Sequence, residues 1–476
     1  MSPALPDAPR WTALLRGWRD HPGPLHGRLQ AQLRAAIERG ELAPAERLPA
    51  ERPLAALLGV SRATVVTAYD ELTADGWLIR RVGSGTRVSA GAPRAAPLLT
   101  LRTPVGSAAG AAPDLDFTIA VPLLTDPQRE RLRRASQHAF GESVYHPHGL
   151  PELRALLAEL YTKDGLPTRA EQIVVTSGAQ QAIALSAATL LRRGDVALLE
   201  TPTYFGAIDV MRAAGAQLVG VPVEGSGLQP DTFMRLATAH APRLAFLTPT
   251  FQNPTGTVLP ARARERLAAF VQDRALPTLE DDTLLDLGFT DEPPPPRISV
   301  YAPQAPIINV GSLSKLYWAG LRVGWMRLPP ALAAPLAQAK TLADFGGSLM
   351  AQHAALQLLA DLPGLRRERR AAVTPARDLL AGLLHAELPE WHFEVPRGGQ
   401  FLWVQLPTPD ASRLTHHAAA HGLRLFPGAS MGVSPLPDRY LRLPFTLDPA
   451  RLPEAVTRLK AAWVSFQSRD GQGGLA

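Results

Sequence analysis

Six short apolar runs, QIVVTSG, VALLETPTY, LVGVPVE, LAFLTPTF, LPTLEDD and IINVGSLSK, recur between residues 172 and 315, most of them separated by amphipathic segments. Strands that alternate with helical stretches need crossover connections, which favours an α/β unit with a mainly parallel sheet. In such a sheet ligands sit at the C-terminal ends of the strands, so the residues closing these runs are the first place to look for chemistry. The chain has 476 residues, 46% of them hydrophobic and 19% charged, enough for two or three packed domains.

Charge is divided unevenly. Residues 1–112 hold 14 arginines, no lysine and 9 acids, a net of +5, whereas residues 113–476 hold 35 basic and 34 acidic residues, a net of +1. The asymmetry predicts a polyanion partner for the N-terminal part and a separate role for the remainder. Between them, APRAAPLLTLRTPVGSAAGAAP is rich in Ala, Pro and Gly without a sustained apolar period and reads as a linker. The expected organisation is a domain over 1–90, a linker over 91–112 and a larger domain over 113–470. The first residues lack the features of a signal peptide and no apolar run reaches transmembrane length, which predicts a cytoplasmic chain with no membrane partner. The absence of cysteine excludes disulfides, thiolate metal sites and a cysteine nucleophile. The short HPHG and THH stretches lack metal-ligand spacing, so no metal is expected.

Upstream of the linker, LHGRLQAQLRAAIERGEL has apolar residues near helical spacing, and ERPLAALLGV is a second, shorter helix closed by glycine. In SRATVVTAYDEL, Ser61 is a favourable N-cap, and Val65, Ala68, Tyr69 and Leu72 form an apolar face that leaves Arg62, Ala63 and Thr64 on the exposed first turn. Two helices joined by a tight Gly-Val turn form a helix-turn-helix candidate for double-stranded DNA, the second helix entering the major groove by its first turn. WLIRRVGSGTRVS then reads as a two-stranded wing, with Gly83 and Gly85 letting backbone approach phosphate. Residues 24–88 resemble the winged helix-turn-helix of the GntR family of bacterial repressors, on the strength of LPAERPLAALLGVSRATV and GSGTRV. The resemblance implies an α+β domain in which Arg52, Arg62 and Thr64 face the DNA and Gly85 sits at the wing tip. Ala50, where the family often has serine, departs from the pattern and gives up a helix cap, and Val66 stands where some members place a phosphate-contacting arginine.

Only four of the 49 basic residues are lysines, and one of them, Lys315, stands in GSLSKLYWAGLRVGW. Arginine does not deprotonate in proteins, so a lysine kept amid such bias points to a neutral amine that condenses with an aldehyde, although a surface lysine that escaped the bias fits equally well taken alone. In TSGAQQA, Gly178, Ala179 and Gln180 open a helix directly after a strand, an arrangement that suits a phosphate or simply makes a tight turn. LEDD ends a strand on Asp281 and Asp282, where a buried carboxylate needs a cation such as a protonated pyridine nitrogen. With Ser312 three residues before the lysine and Arg322 seven after it, the set describes a site for pyridoxal 5′-phosphate.

Residues 113–465 resemble the class I and II aminotransferases of fold-type I, through YHPHGLPELR, TSGAQQA, ETPTYFG, NPTG, EDD, SLSKLYWAGLRVGW, PRGGQFLWV and RLPF in that order. The resemblance implies an α/β fold of the pyridoxal-phosphate transferase type with a smaller C-terminal α+β subdomain. It makes Lys315 the covalent attachment point, sets Asp281 against the ring nitrogen, Asn253 against the phenolic oxygen and Tyr204 against the ring face. Gly178, Ala179, Gln180, Ser312 and Arg322 would hold the phosphate, Tyr145 would reach it from a partner subunit, and Arg442 would grip a carboxylate bidentately. Two or three residues after the aspartate such folds commonly bring a tyrosine hydroxyl to the cofactor, whereas Thr283 and Leu284 stand here.

A GntR-type winged helix joined to an aminotransferase-like domain is the architecture of MocR-type transcriptional regulators. The combination implies a homodimeric, DNA-binding regulator that senses an amino compound, or pyridoxal phosphate itself, with weak or no amino transfer. Two alternatives stay open on the sequence: an active aminotransferase with an accessory DNA-binding arm, and a repressor whose enzyme-like domain is only a dimerisation scaffold.

Overall fold

Ser61 ends a turn and starts a helix: its Oγ accepts from the amide of Thr64 at 3.2 Å, as an N-cap does. The computed structural model in which this is seen describes residues 7–20, 24–38, 41–42, 46–74, 77–81, 85–89, 115–137, 145–225, 227–434 and 436–473. Two units divide the chain, residues 1–99 and 100–476. The expected linker, 91–112, and Gly83 lie outside the described residues.

The first unit contains α1 (Ala8–Leu14), α2 (Leu25–Glu38), α3 (Glu51–Leu58), α4 (Arg62–Ala74) and an antiparallel ribbon of β1 (Leu78–Arg81) and β2 (Gly85–Val88). Val65, Ala68, Tyr69 and Leu72 are all fully buried, so the apolar stripe of α4 faces the core as its spacing requires. The buried Tyr69 hydroxyl is satisfied by donating to the carbonyl of Pro49 at 3.0 Å. Gly59, at φ 64°, closes α3 in the left-handed region that glycine adopts without strain. No side chain caps α3 at Ala50, yet the helix forms, because Leu54 and Ala55 are buried in the core. Two features lay beyond the sequence reading. The α1 helix buries Trp11 against that core, and residues 46–48 pair with β2, the amide of Leu48 donating to Thr86 and that of Val88 to Glu46 at 2.9 Å each.

In the second unit the strands are β3 (Leu115–Asp116), β4 (Ile173–Thr176), β5 (Val196–Thr201), β6 (Gln217–Glu224), β7 (Gly227–Leu228), β8 (Leu244–Leu247), β9 (Thr278–Asp281), β10 (Ile307–Ser312) and β11 (Gly324–Arg327). Eight of them form one sheet in the order β4-β11-β10-β9-β8-β5-β6-β7. The five from β10 to β6 are mutually parallel, and β11 runs antiparallel to both its neighbours. All six expected strands are present; β11 and the short β7 are the additions. Side chains alternate across the sheet: Ala197, Leu199, Leu244 and Phe246 pack into one buried cluster, Leu198, Ala245 and Leu247 into another. Burial on both faces explains why these runs are apolar throughout rather than every second residue.

The C-terminal part carries β12 (Phe401–Gln405), β13 (Leu423–Arg424), β14 (Phe426–Pro427) and β15 (Tyr440–Pro444), packed with the long helix Leu362–Glu387 and the helix Leu452–Gly473. β12, β15 and β14 form an antiparallel sheet, and β3 pairs in parallel with β13. That pairing continues in a bond from the Phe117 amide to Arg424 at 2.8 Å, so residues 118–120 leave the smaller subdomain at a fixed point.

Candidate functional site

The chain runs outward from β5 to β6 and β7, then returns to lay β8 on the other side of β5, so the strand order reverses between β5 and β8. A crevice opens beyond the C-terminal ends of parallel strands at such a reversal. A cavity of about 260 Å³ lies there, walled by Ala179, Gln180, Tyr204, Asn253, Asp281, Ser312, Lys315, Arg322 and Arg442 among others. Strand ends deliver most of them: Asp281 closes β9, Ser312 closes β10, and Tyr204 and Asn253 follow β5 and β8.

Two of the expected residues do not wall this space. Gly178 stands behind it, at φ 122°, with the Arg322 guanidinium 3.0 Å from where a Cβ would be, so a side chain there would displace the arginine. Tyr145 is 83% exposed and lies beside Phe345 at 6.4 Å between ring centroids. Asp281 and Asp282, adjacent in sequence, part company because successive strand residues face opposite sides. Asp281 reaches the cavity, while Asp282 receives Arg297 Nε at 2.8 Å, and Arg297 also bonds Asp164 at 2.8 Å.

Lys315 sits on the short helix Leu313–Leu316, started by Ser312, whose Oγ accepts from the Ser314 amide at 3.2 Å. Its Nζ donates to the carbonyl of Ala120 at 2.7 Å. Enclosure lowers the amine's pKa to about 8, helped by the positive charges of Arg442 and Arg369 and opposed by Asp281. A larger neutral fraction near pH 7 is what a nucleophilic amine needs. Burial pushes the Asp281 carboxyl up, against the pull of the Thr283 hydroxyl and amide and of Lys315.

Arg442, on β15, is 3% exposed and donates from Nη2 to the Thr118 carbonyl at 2.6 Å, leaving Nε without a partner among the described residues. Its guanidinium is 4.4 Å from the ring centroid of Phe426, 4.5 Å from Phe401 and 5.8 Å from Phe205. No carboxylate pairs with it among the described residues, and burial lowers its pKa to about 10. A desolvated cation with a free donor is a site for an anion. The neighbouring strands β3 and β13 explain this geometry, since the 118–120 segment they anchor supplies both carbonyls that orient Arg442 and Lys315.

Pyridoxal phosphate fits this donor set. Among the described residues the Asn253 side-chain oxygen is buried with no partner, and Asp281 meets the cavity with only Thr283 bonded to it. The twelve-residue helix Ala179–Leu190 points its N-terminus at the phosphate end, where Ser312 and Arg322 stand. Thr283 turns its hydroxyl onto Asp281 and Leu284 presents hydrocarbon, so neither replaces the tyrosine hydroxyl common in such folds. The Tyr204 hydroxyl donates to Gln180 Oε1 at 3.0 Å.

Arg369 was missed by sequence reading. It is buried, and its Nε and Nη2 have no partner among the described residues. The run RRERR looks like a solvated charge cluster, but positions 362, 365, 369, 373 and 376 fall on one buried face of the long helix. That helical spacing is the signal that singles Arg369 out from its four charged neighbours.

In the N-terminal unit Arg62 and Thr64 stand on the exposed first turn of α4 and Arg52 on that of α3. Gly85, at φ 79°, begins β2. Together these describe a winged helix-turn-helix, in a chain whose other unit is an aminotransferase fold with a lysine-centred cavity.

Comparison with known proteins agrees at both levels. The family "Aminotransferase class I and II" matches residues 123–459, and "Bacterial regulatory proteins, gntR family" matches residues 25–88. The probable rhizopine catabolism regulatory protein MocR of Rhizobium meliloti is 30% identical over 94% of this chain and 96% of its own. The pyridoxine biosynthesis transcriptional regulator PdxR of Corynebacterium glutamicum is 32% identical over 72% of this chain and 74% of its own. Among solved structures, the α-aminoadipate aminotransferase LysN of Thermus thermophilus, complexed with N-(5′-phosphopyridoxyl)-L-leucine, matches with a TM-score of 0.69 and 30% identity, over 74% of this chain and 93% of that one. The chain belongs to the class I and II aminotransferase family, in its MocR branch of GntR-type transcriptional regulators.

Proposed function

We propose that this regulator holds pyridoxal phosphate on Lys315 and uses the cavity to sense a small amino compound. The observation that carries the reading is the buried Arg442, which meets no carboxylate among the described residues and shares one cavity with the Lys315 amine. When bound, the cofactor supplies an aldehyde carbon that amines occupy reversibly. Asp281 holds negative charge against the ring nitrogen, Asn253 bonds the phenolic oxygen, Tyr204 covers the ring, and Ala179, Gln180, Ser312 and Arg322 fix the phosphate, with Gly178 leaving room for Arg322. Arg442 takes the carboxylate of the incoming amine, within walls that Phe205 and Phe401 keep dry.

Thr283 and Leu284 favour sensing over sustained turnover, since the Thr283 hydroxyl is engaged on Asp281 and Leu284 has none to offer the ring. An effector shifts the protein's state only by binding one state better than another, and a molecule that bridges the cofactor and Arg442 has the contacts to do so. The output is a change in binding of the winged helix to double-stranded DNA. Exposed Tyr145, Leu342, Phe345 and Met350 support a homodimer in which Tyr145 serves the partner's phosphate site. A cytoplasmic location suits a DNA-binding chain in which no described helix is long and apolar enough to cross a membrane.

The test is a visible-absorbance titration of the purified, cofactor-loaded protein with a panel of amines and amino acids. A response that requires a carboxylate supports the reading. Sustained amino transfer to a 2-oxo acid would replace it with the enzyme reading, and a response to free pyridoxal phosphate alone would make the cofactor the signal.

A further inference from the structure

The wing of the N-terminal unit has a third edge, and its exposed arginine is placed by a glycine. Residues 46–48 pair with β2, which sets Arg47 directly opposite Arg87. Like charges facing each other across strands are unfavourable. The Arg47 guanidinium lies across Gly85: a Cβ there would stand 3.1 Å from Nε and 3.4 Å from Nη2. Gly85 thus does more than allow a tight backbone at φ 79°; its missing side chain is the seat of Arg47. The nearby acid is already engaged, since Glu46 pairs with Arg10 at 2.8 Å. Arg80 on the same ribbon pairs with Asp70, whereas Arg47 is exposed and makes no ion pair among the described residues.

We infer that Arg47, seated on Gly85, is a phosphate contact through which the wing grips the DNA backbone. The inference rests on the reading of this unit as DNA-binding, and adds a residue to the candidate set of Arg52, Arg62 and Thr64. An exposed guanidinium on a strand edge, with no ion pair among the described residues, matches a phosphate oxygen in geometry and charge. Such a contact reads no base, so it acts on any duplex.

The full-length protein is titrated against a fluorescent random-sequence duplex of about 40 base pairs across salt concentrations, long enough for the salt slope to count phosphate contacts. Arg47→Ala is expected to weaken binding roughly tenfold at low salt and to flatten the slope of log affinity against log salt by about 0.9, the signature of one lost phosphate contact. Arg10→Ala removes the same charge from a guanidinium already paired with Glu46, and its slope stays that of the wild type. Gly85→Ala is expected to match the loss of Arg47→Ala, with no further loss in the double variant, because both remove one contact. Additive losses would return Gly85 to a backbone role independent of Arg47. An unchanged slope in Arg47→Ala, in a wild-type protein that does bind the duplex, overturns the inference alone; failure of the wild type to bind any duplex overturns the reading beneath it.

Discussion

Thr283 gives both its backbone amide and its hydroxyl to the same carboxylate oxygen of Asp281. Where related folds bring a tyrosine toward the cofactor, this chain uses its nearest hydroxyl to hold the acid. Burial raises the pKa of this carboxyl, and two donors on one oxygen work against that rise by favouring the ionised form. Thr283→Val removes the hydroxyl at nearly constant volume and is expected to weaken pyridoxal phosphate binding by about 1.5–3 kcal/mol, the value of a hydrogen bond to a charged group. Equilibrium titration of cofactor-free protein measures it, and equal affinity in the variant would leave the hydroxyl without a role.

Lys315 gives a pH signature. Its pKa falls from 10.5 to about 8, so below pH 8 the neutral fraction grows about tenfold per unit and then levels off. The rate at which cofactor-free protein takes up pyridoxal phosphate should follow that curve. The sign for stability is the reverse of a salt-bridged lysine: between about 8 and 10.5 the unfolded chain binds the extra proton, so this group makes the cofactor-free protein more stable as pH rises through that window. Lys315→Met should abolish the uptake and remove that part of the pH dependence. An uptake rate still climbing at a pH of about 10 would place the amine in an ordinary environment.

Arg442 is a buried cation with no acid against it among the described residues, which costs stability in the ligand-free protein. Even a complete buried ion pair replaced by hydrocarbon of similar size often leaves stability unchanged or raises it by about 1–4 kcal/mol, and Arg442 has no acid among the described residues to be left stranded. Arg442→Met is therefore expected to leave the unfolding midpoint unchanged or raised while removing the response to carboxylate-bearing amines. A marked fall in the midpoint would make Arg442 a structural residue.

Arg62 stands on the first turn of α4, where a helix entering the major groove reads bases. Arg62→Ala should cost about 1–3 kcal/mol on a duplex selected by the wild-type protein and much less on random DNA. Equal losses on both would make Arg62 a phosphate contact instead.

Most of the fold was legible because its strongest signals are local. The buried face Val65, Ala68, Tyr69 and Leu72 follows from helical spacing, and the six strands from apolar runs closed by Gly, Pro or acid. β11 was not foreseen because GWMR is short and mixed, and its place depends on pairing with β4 and β10 across long separations. The 46–48 edge was invisible for the same reason. At the site, Lys315, Asp281 and Asn253 announce themselves by type and by position at strand ends. The carbonyls of Thr118 and Ala120 do not, since any residue supplies a carbonyl and only the pairing of β3 with β13 brings these two to Arg442 and Lys315.

The measurement that bears most directly on the sensor reading records visible absorbance and DNA binding on the same sample. Cofactor-loaded full-length protein, mixed with a labelled duplex selected from a random pool, is titrated with carboxylate-bearing amines. At least one amine should change the absorbance band and the DNA affinity over the same concentration range, and Arg442→Ala should lose both responses while keeping its band and its basal DNA binding. An absorbance change in the wild type that leaves DNA affinity untouched for every amine on the panel would contradict it.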